Sequence, residues 1–147
     1  MQVQPYIFFE GRCEEAVNFY KTALNAEVTM MMRYKDNPEP RAAGGGGGPD
    51  ISKIKGESIM HAIFKLGDTE VMASDGMASG KTEFKGISLS LNPATEAEAK
   101  RIFNALSEGG KVNMPLSKTF YSPCFGMVAD KFGVSWMVMV PGEMPPK

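Results

Sequence analysis

The chain has little of what most metal and redox sites are built from. Its 147 residues include one histidine, His61, and two cysteines, Cys13 and Cys124. Sites made from several imidazoles or thiolates of one chain, such as zinc ribbons, zinc fingers and His-rich triads, are therefore ruled out. It also lacks a charge surplus of either sign: 16 Lys and Arg face 17 Asp and Glu, a formal net charge of -1. With no basic run longer than a few residues, the electrostatic footprint needed for nucleic-acid backbones or anionic membranes is missing. No apolar stretch approaches the ~20 residues that span a bilayer. The start does not read as an export signal either, because Pro5, Glu10, Arg12, Glu14 and Glu15 break up any apolar segment. Neither nucleic acid nor membrane is expected as a partner, and the expected compartment is the reducing cytoplasm.

What the chain does have is 43% hydrophobic residues. A chain of this length buries about two-thirds of its unfolded surface, so it folds without disulfide or metal staples. Tyr6 to Phe9 reads as a short aromatic strand. Cys13, Ala16, Val17, Tyr20 and Leu24 then fall at helical spacing among polar residues. Ala26 to Tyr34 reads as a strand, Ile59 to Leu66 and Glu70 to Ser74 as a hairpin around Gly67-Asp68-Thr69, and Asp75 to Lys85 as a connector.

After the connector the pattern starts again. Ile87 to Leu91 alternates as a strand with one buried face. Thr95 and Glu98 form a capping box, and Ala99, Ile102, Phe103 and Leu106 form an apolar stripe that stops at Gly109-Gly110. Lys111 to Met114, Cys124 to Ala129 and Val134 to Val140 are the remaining strands. The helices begin near residues 12 and 95, whereas the hairpin turns centre near 68 and 131, so module one carries about twenty additional residues. These fall in residues 35–57, which contain the run Gly44 to Gly48 and show no period of either kind. That segment is expected to be a mobile surface insertion able to act as a lid. The expected fold class is α+β: one domain over 1–147, with tandem βαβββ modules at about 3–75 and 86–140. Together they would form a cupped mixed sheet with the helices on the outer face.

Three segments carry a family resemblance. They are Pro5-Tyr6-Ile7-Phe8-Phe9-Glu10-Gly11-Arg12-Cys13-Glu14-Glu15-Ala16 leading to Phe19-Tyr20, then Met72-Ala73-Ser74-Asp75, then Phe125 to Met137. Together with the paired modules they resemble the PhnB-like branch of the vicinal oxygen chelate superfamily, which includes glyoxalase I, extradiol dioxygenases and bleomycin-resistance proteins. The resemblance runs from about residue 3 to 140 and implies a homodimer. In metal-dependent members of the superfamily each module supplies two chelating residues. Carried onto this chain, those positions fall at Pro5, near His61, at Gly86 and at Met137. At most one of the four is a ligand for a hard or borderline ion. The resemblance therefore implies the fold without its metal chemistry, and no cofactor is expected. Many relatives in this branch carry a demethylubiquinone methyltransferase label. A methyl-donor site of the Rossmann kind needs a Gly-rich turn opening a helix, and Gly44 to Gly48 precedes no helical pattern.

The candidate site residues each allow two readings. His61 is either a strand-end residue with a satisfied hydrogen bond or a ligand or base, kept in play by its position on the expected cup. Asp75 is either an acid facing the cup or part of the turn with Gly76, and Glu10 before Gly11 and Asp130 in its turn are read as structural. Tyr6, Phe8, Tyr121, Phe125 and Trp136, with Met30, Met32, Met127, Met137 and Met139, fill either a core or dimer interface or an adaptable apolar pocket. The expected pocket is Tyr6, Phe8, His61, Tyr121, Phe125, Trp136 and Met137. Cys13 and Cys124 have no neighbouring basic group in sequence and read as buried small residues. Two functions follow from these readings. One is metal-free binding of a small apolar or aromatic molecule. The other is a lyase, isomerase or dioxygenase using His61 with Glu10 or Asp75, around a divalent ion.

Overall fold

The structure is a computed structural model that describes residues 1–38 and 54–142. Gly44 to Gly48, and with them the expected lid, lie outside the described residues. The chain divides into two compact units, Met1–Thr82 and Glu83–Lys147. The first contains β1 (Tyr6–Phe8), α1 (Cys13–Leu24), β2 (Glu27–Arg33), a 3-10 turn (Tyr34–Asp36), β3 (Ile59–Leu66) and β4 (Thr69–Ser74). The second contains β5 (Leu89–Leu91), α2 (Glu96–Ser107), β6 (Lys111–Ser117), β7 (Cys124–Ala129) and β8 (Ser135–Val140). Their sheets have matching strand orders, β1-β4-β3-β2 and β5-β8-β7-β6, each with one parallel pair at the first strand. The expected duplication of a βαβββ pattern is therefore present, in α+β form.

The first helix is started by a group distant in sequence. Its N-cap, Arg12, supplies no side-chain bond, and Asp75 Oδ1 accepts from the Cys13 amide at 2.8 Å instead. Asn25 ends the helix in the left-handed region, φ 54°, a conformation that suits its short polar side chain. In α2, Thr95 accepts from the Glu98 amide at 3.2 Å, as its capping sequence predicts. Two boundaries differ from expectation. β5 starts at Leu89, because Gly86 adopts φ 74° and Ile87 turns outward. β6 continues to Ser117 through Pro115, which an edge strand tolerates because its outward N–H is not needed.

Each helix covers one face of its own sheet. Tyr20 of α1 stacks on Phe64 of β3 with centroids 5.7 Å apart, above buried Ala62, Val71 and Ala73. In the second unit a Cβ at Gly126 would lie 2.8 Å from Phe103 Cε2. Its cross-strand partner Val138 and the Val128–Trp136 pair therefore face α2 as well. Each large side chain buried in this way stabilises the fold by roughly 1.5–3 kcal/mol.

β2 carries the irregularity that matters most. The register shifts between Val28 and Met30, leaving Thr29 outside the regular pairing. Met30 and Met32 are therefore aligned with Ile63 and His61, away from α1, while Met31 is aligned with the helix-facing Ala62. Without that extra residue the three methionines would sit the other way round. Beyond β2, the stems of the insertion are tied together. The Tyr34 and Lys35 amides donate to Ser58 and Gly56 carbonyls at 3.0 Å, and Arg33 Nη1 donates to the Glu57 carbonyl at 2.8 Å.

Candidate functional site

The helix-free faces of the two sheets hold most of the aromatic and methionine residues that the sequence marks out. In the first unit, β1, β4, β3 and β2 place Tyr6, Met72, Ile63 and Met30 in one row across the sheet, and Met32 opposite His61 in the next. Tyr6 and Phe8 have ring centroids 4.9 Å apart, and Tyr6 stacks on the His61 imidazole at 5.5 Å. The Tyr6 hydroxyl is hydrogen-bonded to His61 Nδ1 at 3.0 Å. Tyr6 is 38% and Phe8 51% exposed, large values for aromatic strand residues. The structure thus brings together three of the expected site residues, Tyr6, Phe8 and His61.

In the second unit the face opposite α2 carries Phe125, Met127, Met137 and Met139, with Met114 beside Met127. Tyr121 packs edge-on against Phe125 at 5.7 Å, and Phe120 packs against Tyr121 at 4.9 Å. Trp136 does not belong to this group. It is 1% exposed on the side facing α2, where Nε1 donates to Asp130 Oδ2 at 2.8 Å. Alternation along β8 could have shown this, since Trp136 and Met137 are neighbours on one strand and must point to opposite faces.

The candidate carboxylates are committed to the backbone. Asp75, 4% exposed, accepts from the Cys13 amide with Oδ1 and from the Ile59 amide with Oδ2 at 2.6 Å. It therefore joins α1 to β3, a longer-range role than the turn chemistry its sequence suggests. Glu10 accepts from the Ser79 amide at 3.0 Å. Asp130 holds the Phe132 and Val134 amides as well as the Trp136 indole. Cys13 and Cys124 are buried, and burial raises the Cys13 thiol well above its ordinary pKa, with the charges of Asp75 and Glu14 adding to the effect.

The second unit also holds a groove of about 380 Å³, lined by Phe84, Gly86, Ile87, Ser88, Asn113 and Ser135, among others. The Ser88 and Ser135 hydroxyls lie 2.7 Å apart in its wall. Isolated serines carry no motif or period, so nothing in the sequence points to this groove.

The four positions at which the resemblance places chelating groups are filled by Pro5, His61, Gly86 and Met137. They provide one imidazole and one thioether, and among the described residues no three His, Cys, Asp or Glu side chains stand together. This donor set does not fit a hard or borderline divalent ion.

Comparison with known proteins agrees with this architecture. Residues 1–139 match the family model described as 3-demethylubiquinone-9 3-methyltransferase. Protein YjdN of Escherichia coli K12 is 33% identical over 145 residues, 99% of both chains. The crystal structure of protein PA1353 from Pseudomonas aeruginosa superposes with TM-score 0.78 at 40% identity, covering 97% of this chain and 99% of that one. A PhnB protein from Bacillus cereus, described as a 3-demethylubiquinone-9 3-methyltransferase, superposes with TM-score 0.73 at 30% identity, covering 95% of this chain and 99% of that one. With matches of this extent to a repeated βαβββ fold, the chain belongs to the PhnB-like family described as 3-demethylubiquinone-9 3-methyltransferase.

Proposed function

We propose that this protein binds a small apolar or aromatic molecule on the helix-free faces of its sheets, without a divalent metal. The observation that carries this reading is the contiguous group Phe8, Tyr6 and His61, whose rings lie in contact on one face with two of them left substantially exposed. Flat aromatic faces beside flexible thioethers suit a planar ligand, and His61 adds one polar contact to orient it. Tyr121, Phe125 and Met137 form the corresponding part of the second module. The two modules are read as one functional domain, working as a cytoplasmic homodimer. The exposed Val112, Met114 and Phe120 offer apolar surface for pairing. None of the helices among the described residues is long and apolar enough to cross a membrane.

This reading does not extend to methyl transfer. β1 enters α1 through Phe9 to Arg12 with a single glycine, and β5 enters α2 through Asn92 to Thr95 with none. Neither connection is a Gly-rich turn of the kind that cradles a nucleotide-derived cofactor.

Titration with 1,4-naphthoquinone, followed by tyrosine fluorescence and thermal shift, tests the proposal. Tyr6→Ala and Phe8→Ala should each weaken binding at least about fivefold, which corresponds to ~1 kcal/mol of lost ring contact. Unchanged affinity in both variants would overturn it. The second reading is an enzyme using His61 with Glu10 or Asp75 around a divalent ion, and it is favoured by the position of His61 beside Tyr6. Against it, both carboxylates are already held by backbone amides. Stoichiometric divalent metal in protein purified without chelators, lost in His61→Ala, would decide for that reading.

A further inference from the structure

His61 has thioethers beside it on the neighbouring strand, and imidazole with thioether donors suits a soft ion rather than a hard one. Met32 lies directly opposite His61 across the β2–β3 pair, and the irregularity at Thr29 brings Met30 to the same face. Opposed residues have Cβ atoms about 4.5–5.5 Å apart, and residues two apart on one strand are separated by about 6.5–7 Å. Methionine has three rotatable bonds, so both thioether sulfurs can converge on the imidazole from these positions. All three side chains are half-buried, neither locked in the core nor fully solvated.

The imidazole is also oriented as a ligand. Nδ1 is engaged by the Tyr6 hydroxyl, and His61 makes no other hydrogen bond among the described residues, which leaves Nε2 available. A hydroxyl can accept as well as donate. With Nδ1–H donating to the phenol oxygen, the Nε2 lone pair is presented to a metal.

We propose that Met30, Met32 and His61 form a binding site for a soft monovalent cation, Cu(I), held by two thioether sulfurs and the imidazole Nε2, with Tyr6 fixing the ring. Thioether and imidazole donors select Cu(I) over the hard ions bound by carboxylates. The site does not depend on the apolar-ligand reading, because the cation alone is the probe and no organic ligand is needed.

The test uses the full chain with methyl-labelled methionines and the redox-inert Ag(I), followed by anaerobic Cu(I) titration in competition with bicinchoninate. One equivalent of Ag(I) should shift the Met30 and Met32 methyl signals and the His61 ring while leaving Met139 unmoved. Met32→Leu and His61→Asn should each weaken Cu(I) binding at least tenfold. The Leu replacement conserves volume, so Met32→Leu should keep its fold, and the remaining methyl signals report this directly. Replacing both buried cysteines by serine should leave the affinity unchanged. The proposal is overturned if the shifts fall on Met114, Met127 and Met137 instead, if Met32→Leu binds as tightly as the parent, or if binding is lost with the cysteines.

Discussion

The phenol oxygen of Tyr6 lies 3.0 Å from Nδ1 of His61, and the two rings stack with centroids 5.5 Å apart. Strands β1 and β3 are not neighbours in the sheet, so this contact spans β4. Tyr6→Phe keeps the stacking and removes the hydrogen bond. Because Tyr6 is partly exposed, the variant should lose only about 1 kcal/mol of stability or less. Its nitrogen-15 spectrum should show a changed balance of His61 tautomers, and an unchanged spectrum would show that the bond has no influence on the ring.

Asp75 should matter far more to folding than its place before a glycine suggests. Both of its oxygens accept buried amides, from Cys13 and Ile59. Asp75→Asn turns one acceptor into a donor facing an N–H, and should cost about 2–3 kcal/mol. Urea denaturation measures this, and a loss below half a kcal/mol would contradict the bridging role.

Gly126 is required by packing. A methyl group there would meet Phe103 at 2.8 Å and Leu116 Cδ2 at 2.9 Å. Gly126→Ala should lower stability by about 1–3 kcal/mol through overpacking between α2 and its sheet. A thermal melt of the variant checks the expectation.

The thiols should be inert in the folded protein. Burial first, then the charges of Asp75 and Glu14, holds Cys13 in its neutral form, and Cys124 is buried as well. Maleimide labelling followed by mass spectrometry should show no adduct under native conditions and two in denaturant. Rapid native labelling would place at least one thiol at the surface.

The insertion stems carry a pH-dependent contact. Lys35 Nζ donates to Glu57 Oε1 at 2.6 Å and lowers the carboxyl pKa below its ordinary 4.5, with Arg33 adding a smaller pull. A carboxylate whose folded pKa is depressed contributes stability above its unfolded value, and that contribution is lost as pH falls through the folded one. Both side chains are largely exposed, so the contribution should be small, present above about pH 4.5 and lost below it. In a carbon-13 titration, Lys35→Ala should move the Glu57 midpoint upward towards 4.5.

Much of the fold is legible because its signals are local. The α2 stripe ends in a capping residue and a glycine pair, and strands such as Val134 to Val140 declare themselves by apolar alternation or continuity. The single histidine is enough to exclude a multi-imidazole site within one chain. The candidate site is legible only in part. Tyr6, Phe8 and His61 stand out by residue type, but nothing local says that a residue on β1 reaches one on β3. Trp136 shares its aromatic character with Tyr121 and Phe125, yet a single step along β8 from Met137 turns it to the other face.

The sequence by itself determined the duplicated β-α-β-β-β order, the helix stripes and the poverty in hard metal donors. These depend on residue type and period, which act over one or two turns or strands. Only the tertiary structure decided which methionines stand beside His61. The pattern Met30-Met31-Met32 is symmetric under alternation, and the extra residue at Thr29 places the outer two on the helix-free face. The tertiary structure also decided the role of Asp75, whose partners lie 62 and 16 residues away. A hydrogen bond across such a separation leaves no periodic trace in the chain, because strand pairing and chain path bring its ends together rather than local sequence.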